Sequence, residues 1–86
     1  MNKTKEQSIS PKTKQLILQA QQNEITEATV YRKIARYIKD PHNKKILLAI
    51  ADDELKHYSI WRKYTGKDMK IDKKAVFRYS LIIRIF

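Results

Sequence analysis

The sequence predicts an all-α protein, built from an antiparallel helical hairpin and a short third helical segment near the C-terminus. Three observations predict this fold class. The 86 residues include one glycine and two prolines, too few chain-breaking residues for a turn-rich β protein. Each proline directly follows a residue type that caps helix N-termini, in Ser10-Pro11 and Asp40-Pro41. After each proline, apolar residues recur every three or four positions, as on one face of an α-helix.

The first helix is predicted over residues 11–39. Ser10 is its expected N-cap, and Pro11 occupies the first helical position, where a missing N–H removes no intrahelical hydrogen bond. No glycine or proline interrupts the rest of this segment. The expected inward face comprises Ile17, Ala20, Glu24, Ala28, Tyr31, Ile34, Ala35 and Ile38. The carboxylate of Glu24 therefore interrupts a largely apolar stripe.

The second helix is predicted over residues 41–65, with Asp40 as its N-cap and Gly66 as the residue that ends it. Its expected inward face comprises Ile46, Leu47, Ile50, Ala51, Glu54, His57, Tyr58, Trp61 and Tyr64. Because almost no connector separates the two helices, they must fold back on each other as an antiparallel hairpin. We therefore expect one hairpin domain over residues 11–66.

The two ends of the chain differ from this hairpin in composition. Residues 1–10 form a polar, basic tail that is expected to be disordered. Residues 67–86 are expected to form a polar linker and then an apolar segment, 75–86, that carries Arg78 and Arg84. We expect this segment to be helical and to dock by its apolar side, on a partner chain or on a membrane surface. The uncapped Ile-Phe end also fits a truncated form of a longer protein.

The composition excludes several classes of function. There is no cysteine, which excludes disulfide frameworks, zinc ribbons and thiol chemistry. No stretch reaches the roughly 20 apolar residues that span a bilayer, and no secretory signal is present, so we expect a cytoplasmic protein or one associated with a membrane. The net charge of +10 favours anionic partners. Nucleic acid is not favoured among them, because the basic residues are spread over all faces and form no recognition motif.

Glu24, Glu54 and His57 are the candidate metal ligands. Glu54 and His57 form a Glu-x-x-His motif, which places them one turn apart on the same helix face. Glu24 lies 16 residues before Asp40 and Glu54 lies 14 residues after it, so the hairpin brings them to about the same height. Ionised carboxylates on a buried face need compensation, and a bound cation provides it directly. This pattern is half of the di-iron carboxylate site of ferritin-like bundles.

Four further residues flank this group. Glu27 is either an additional carboxylate of the site or a solvated flank. Asp53, four residues before His57, could orient the imidazole through the nitrogen that does not bind metal, or could be solvated. Tyr31 and Tyr58 could each donate a hydrogen bond to a ligating carboxylate. The alternative interpretation of the motif is a simple glutamate–histidine pair within one helix, without a metal.

Two stretches carry a resemblance to a known family. They are residues 23–35, NEITEATVYRKIA, followed by Asp40-Pro41, and residues 50–58, IADDELKHY. Together they resemble the first helical hairpin of the rubrerythrin family, within the ferritin-like superfamily. The likeness is strongest to the cysteine-free branch whose ferritin-like domain is often fused to a membrane domain of the vacuolar iron transporter type. It covers about residues 15–86.

The resemblance implies a four-helix bundle with a di-iron centre, used for iron oxidation and storage or for peroxide reduction. It implies that Glu24, Glu54 and His57 are ligands of iron, and that Glu27 is a further candidate ligand. Carboxylate oxygens and imidazole also suit manganese, which is the alternative metal. In that family a second hairpin supplies another Glu and another Glu-x-x-His, which this sequence lacks. A homodimer would restore the full set.

The sequence leaves the functional class open. If the dimeric site turns over, the protein is a di-iron oxidoreductase of the ferroxidase or peroxidase type, and no residue is assigned a catalytic role. The alternatives are a non-enzymatic basic helical module that binds a membrane surface or nucleic acid, and an inactive remnant of a longer ferritin-like protein.

Overall fold

The structure, a computed structural model, describes residues 9–85, with side chains described through residue 82. It contains three α-helices, α1 (Pro11–Tyr37), α2 (Pro41–Thr65) and α3 (Lys73–Ile85), and no strand within the described residues. The predicted all-α fold, with two long helices packed on each other and a short third one, is confirmed. Of the tail expected to be disordered, residues 1–8 lie outside the described residues, as does Phe86.

Local chemistry determines where α1 and α2 begin and end. The side chains of Ser10 and Asp40 accept hydrogen bonds from backbone N–H groups of the first helical turns, at 3.1 and 3.2 Å. α2 ends at Gly66, whose φ of 68° lies in the left-handed region that favours glycine. α1 ends two residues earlier than predicted, because Pro41 holds Asp40 in an extended conformation and the chain is already extended at Ile38.

The hairpin packs through small side chains. Ala28 and Ala35 of α1 and Ala51 of α2 are 1, 2 and 0 % exposed. Small residues at the contact let the two helix axes approach closely. α1 also packs against α3, whereas α2 and α3 share no extensive interface within the described residues. The molecule is therefore a thin slab, 53 × 25 × 14 Å along its principal axes, with α1 in the middle.

Buried polar side chains hold the link between α2 and α3 in place. Gln21 is fully buried; its Nε2 donates to the Lys67 carbonyl at 2.8 Å, and its Oε1 accepts a hydrogen bond from the buried Thr65 hydroxyl. The Thr26 hydroxyl, also buried, accepts a hydrogen bond from the Asp72 N–H at 2.9 Å. The expected polar linker therefore follows a defined path back along α1.

α3 begins two residues before the apolar segment predicted from the sequence. Asp72 caps it, since its carboxylate accepts a hydrogen bond from the Ala75 N–H at 3.1 Å. Val76, 6 % exposed, is its one buried apolar side chain among those described. The helical prediction for this segment is right, but only one side of α3 is covered, and the side chain of Arg84 lies outside the described residues.

The inward face predicted for α1 is incomplete. Ala28 and Ala35 are buried as expected, but Leu18, Gln21, Thr26 and Val30 are buried too. The prediction assumed a single neighbour for α1, whereas α2 covers one side of it and the link with α3 covers another. The inward face predicted from residue spacing therefore contains only some of the side chains that α1 buries.

Large apolar side chains remain exposed on all three helices. Those between 41 and 66 % exposed are Leu16, Tyr37, Ile46, Leu48, Ile60, Phe77, Tyr79, Leu81 and Ile82. Continuous exposed apolar surface marks places where a protein contacts something else. In the described part of the chain, no helix combines the length and the apolar character needed to cross a membrane.

Candidate metal centre

The hairpin brings the three predicted metal ligands together. Glu24 lies on α1, and Glu54 and His57 lie one turn apart on α2. The Nδ1 atom of His57 is 3.5 Å from Glu24 Oε1 and 3.6 Å from Glu54 Oε1. One imidazole nitrogen therefore faces a carboxylate from each helix, at the height that the matched distances from the turn predicted.

The two carboxylates are more buried than the imidazole between them. The side chains of Glu24 and Glu54 are 18 and 17 % exposed, and that of His57 is 53 % exposed. The Oε2 atom of Glu24 is buried and has no hydrogen-bond partner within the described residues. A buried polar atom in this state is rare, because desolvation costs free energy that a partner normally offsets.

The pKa of Glu24 reflects this environment. Burial raises the pKa of the carboxyl group above its ordinary value, and the nearby charge of Glu27 raises it further. The imidazole of His57 and the indole N–H of Trp61 act in the opposite direction, although no donor reaches hydrogen-bonding geometry with Oε2. Burial is the largest of these effects, so the ionised form is left incompletely compensated.

Glu27 joins the cluster through Glu54. A hydrogen bond between their two carboxyl groups, together with burial and repulsion from the Glu54 charge, raises the pKa of Glu27 to about 7. Because Glu27 is itself exposed, the shared proton outweighs burial as the cause. Two carboxyl groups that share a proton lie close enough to share a cation instead. The structure thus places Glu27 beside the cluster rather than among isolated solvated residues.

A shallow pocket of about 250 Å³ opens onto the cluster and is lined by Glu24, His57, Ile60 and Trp61. Trp61 was expected in the core, but it is only partly buried, and its ring packs against that of Tyr64 with centroids 6.2 Å apart. Its position four residues after His57 is the sequence signal that could have placed it at the site. Ile60 and Trp61 give the pocket two apolar walls, but Ile60 is 49 % exposed, so the pocket is open to solvent.

The remaining candidates do not take the roles expected of them. Asp53 is 66 % exposed and pairs at 4.0 Å with the lysine one turn further on, so it does not orient the imidazole of His57. The Tyr58 hydroxyl accepts a hydrogen bond from the Met69 N–H at 2.8 Å and donates to the Asp68 carboxylate at 3.4 Å, so it bonds to the link and not to the carboxylates of the cluster. The Tyr31 hydroxyl has no hydrogen bond to any described residue, and neither tyrosine supports a ligand here.

The donor set suits iron or manganese by its chemistry, since both metals accept carboxylate oxygen and imidazole nitrogen. Donor atoms bound at about 2.1 Å to one ion lie about 3.0–3.4 Å from one another. The separations of 3.5 and 3.6 Å around His57 are slightly wider. Accordingly, no three His, Asp or Glu side chains within residues 9–82 are already arranged to hold a metal ion. The buried Glu24 Oε2, which has no hydrogen-bond partner among the described residues, is the atom for which a bound cation would supply the missing compensation.

No protein-family model matches this sequence, and comparisons with curated proteins and with solved structures find no significant match either. The resemblance to the rubrerythrin family therefore depends on the residues of the two long helices alone.

Proposed function

We propose that this chain is an iron-binding half-bundle of the rubrerythrin type, and that two copies associate to complete a di-iron carboxylate site. The observation that carries the proposal is the buried Glu24 carboxylate, which has an unpartnered oxygen and shares one imidazole nitrogen with Glu54. A cation bound at this point would supply the compensation that Glu24 Oε2 does not receive from any described residue.

Association of two copies is supported by the surface around the cluster. Ile60 lines the pocket beside Glu24 and His57. Helix spacing places Leu16 on the same face of α1 as Glu27, and Ile46 on the same face of α2 as His57, because eleven residues make about three turns. We call this surface the open face: the exposed Leu16, Ile46 and Ile60, with Glu24, Glu27 and His57. Helical elements with an uncovered apolar stripe gain stability by packing it against another layer. A two-fold axis through the open face would place two identical half-sites opposite each other.

In such a dimer, each copy would contribute Glu24, Glu54 and His57 as ligands, with Glu27 as a further carboxylate next to Glu54. This set matches the ferritin-like arrangement, in which two helices each give a Glu and two others each give a Glu-x-x-His. A bound iron pair would supply electrons to peroxide or to dioxygen. The chain's own contribution would be to hold the carboxylates close together, with Glu27 able to release its proton as metal binds.

Metal content and oligomeric state, measured on the same sample, test the proposal. We expect about two ferrous or manganous ions per dimer and a metal-dependent rise in melting temperature, because a ligand that binds only the folded state stabilises it. Glu54→Ala and His57→Ala should abolish this rise. His42→Ala is the matched control, since His42 is exposed in the first turn of α2, far along the helix from the cluster.

Two results would contradict the proposal. Glu54→Ala and His57→Ala proteins that load metal and melt like the parent would show that these residues form no site. A parent protein that stays a well-folded monomer at micromolar concentration and retains no metal would instead support the inactive remnant or the non-enzymatic module.

A further inference from the structure

A second, larger cavity lies on the other side of α1, away from the open face. It is a groove of about 440 Å³ between α1 and α3. Three cations line it, Lys33 and Arg36 from α1 and Lys73 from α3, and none of its described lining residues is acidic. Within the described residues, none of the three cations forms an ion pair. Their positive charges are therefore concentrated around one concave surface without internal neutralisation.

Apolar and aromatic side chains continue from the groove onto the surface. Lys73, Phe77 and Leu81 follow one another at four-residue spacing and so form one row along α3. Phe77 is 63 % exposed and Leu81 46 % exposed, and Tyr37 faces them from α1 at 59 % exposed. This combination of an apolar row and flanking cations is the pattern of a helix that lies in a membrane interface.

We propose that the α1–α3 groove is the site at which this protein docks on an anionic phospholipid surface. A lipid phosphate would sit among Lys33, Arg36 and Lys73, while Phe77 and Leu81 enter the boundary between head groups and acyl chains. The long stems of the lysines can lie along apolar surface with their charges at the phosphates. The charge complementarity with anionic lipid and the exposed row on α3 both point to this occupant.

Other anions fit the same groove less well. A nucleic-acid backbone would satisfy the three cations but would leave Phe77 and Leu81 in water, because phosphates and sugars offer no apolar layer. Free phosphate has the same shortcoming. An anionic lipid surface offers phosphates to the three cations and an apolar layer to Phe77 and Leu81, so it matches both parts of the groove.

Vesicle co-sedimentation tests the proposal on the full chain. Vesicles of equal parts phosphatidylcholine and phosphatidylglycerol are compared with vesicles of phosphatidylcholine alone. We expect binding to the anionic vesicles only. Lys33→Gln/Arg36→Gln should reduce the partition coefficient by about 25-fold, since each of the two cations near an anionic surface contributes roughly fivefold. Phe77→Gln should reduce it by roughly tenfold through loss of apolar burial.

The matched control is Lys45→Gln/Lys63→Gln, which removes two exposed positive charges from α2 outside the groove. Circular dichroism should show unchanged helix content in all variants, because every substituted side chain is at least partly exposed. The control should bind anionic vesicles within a factor of about two of the parent if the groove is the site, because distant charges act only through a screened field.

Several outcomes would overturn the proposal. Equal losses in the two double variants would mean that net charge, and no particular groove, drives binding. Equal binding to neutral vesicles would remove the role of the cations. Binding of inorganic phosphate or single-stranded RNA, without vesicle binding, would assign the groove to another ligand. Metal loading of Lys33→Gln/Arg36→Gln should match the parent, so this test is independent of the iron proposal.

Discussion

The two sides of α1 differ in whether their buried polar groups have hydrogen-bond partners. On the side that faces the link, Gln21 and Thr26 are 0 and 5 % exposed, and each is hydrogen-bonded to the link backbone. On the side that faces α2, Glu24 is also largely buried, yet its Oε2 has no partner within the described residues and its pKa is raised. One helix therefore carries a completed polar contact and an incomplete one.

This difference indicates what each side is for. The link side is complete within one chain, because neutral amides and hydroxyls are satisfied by single backbone groups. A carboxylate is harder to satisfy, since its charge needs several donors or a cation. The α2 side is therefore the one where we expect a metal ion and a second copy of the chain to complete the structure.

Ile60→Asp should have the largest effect, because it alters the open face twice in a two-fold dimer. Each copy would lose apolar burial and bring a charge into the interface, so we expect the dimer to weaken by at least about 100-fold. Sedimentation equilibrium measures this directly. Leu48→Asp, on a different face of α2, is the control and should leave association unchanged. An unaffected dimer after Ile60→Asp would place the interface elsewhere.

Gln21→Ala tests the completed side. It would leave the Thr65 hydroxyl and the Lys67 carbonyl without their buried partner, and we expect the free energy of unfolding to fall by about 2 kcal/mol. Urea unfolding followed by circular dichroism gives the value. Gln22→Ala removes a hydrogen bond to the Lys70 carbonyl, at 3.2 Å, that is more exposed to solvent than those of Gln21. This variant should lower the free energy of unfolding by less than about 0.5 kcal/mol. Equal losses in both variants would mean that burial of Gln21 contributes nothing special.

Glu24→Gln tests the incomplete side and should act in the opposite direction. The amide keeps the shape of the side chain but removes the uncompensated charge, so we expect the metal-free protein to gain about 1 kcal/mol. The same variant should lose the stabilisation by iron or manganese. Urea unfolding with a chelator and with metal measures both effects. A marked loss of metal-free stability would show that Glu24 is already satisfied and would end the contrast between the two sides.

Glu27→Gln should have little effect on the magnitude of the metal-free stability, but it should change how that stability depends on pH. The pKa of Glu27 is raised from 4.5 in the unfolded chain to about 7, so its favourable contribution is present below pH 4.5 and is lost as the pH rises to about 7. Metal uptake displaces the shared proton, so metal affinity should increase over the same interval. Between pH 4.5 and about 7, the melting temperature of the metal-free protein should fall less in Glu27→Gln than in the parent. Asp53→Asn, exposed and outside the cluster, should keep the parent profile.

Local chemistry made much of this architecture predictable. Ser10-Pro11, Asp40-Pro41 and Gly66 each carry their structural signal within one or two residues, and all three mark helix ends in the structure. The meeting of Glu24 with Glu54 and His57 followed from counting residues on either side of the turn. These predictions succeed because helix geometry converts sequence distance directly into spatial distance.

The remaining features depend on contacts that have no periodic signal. Gln21 and Thr26 bond to backbone groups 46 residues away, and neither residue type announces such a partner in the sequence. The hydrogen bond between Glu27 and Glu54 depends on how closely two side chains from different helices approach. Asp53 and Tyr58 bond to other neighbours, and the spacing of the sequence does not indicate which. Such contacts are visible only in the three-dimensional arrangement.

Because α3 rests on α1 and the link, the molecule should open in two stages. Amide protons of α3 should exchange with solvent through a partial opening of low free energy, while those near Ala28 and Ala51 should need global unfolding. A metal bound between α1 and α2 should slow exchange in those helices and leave α3 unaffected, whereas anionic vesicles should protect α3 first. A single hydrogen-exchange experiment would thus distinguish metal binding between α1 and α2 from lipid binding by α3.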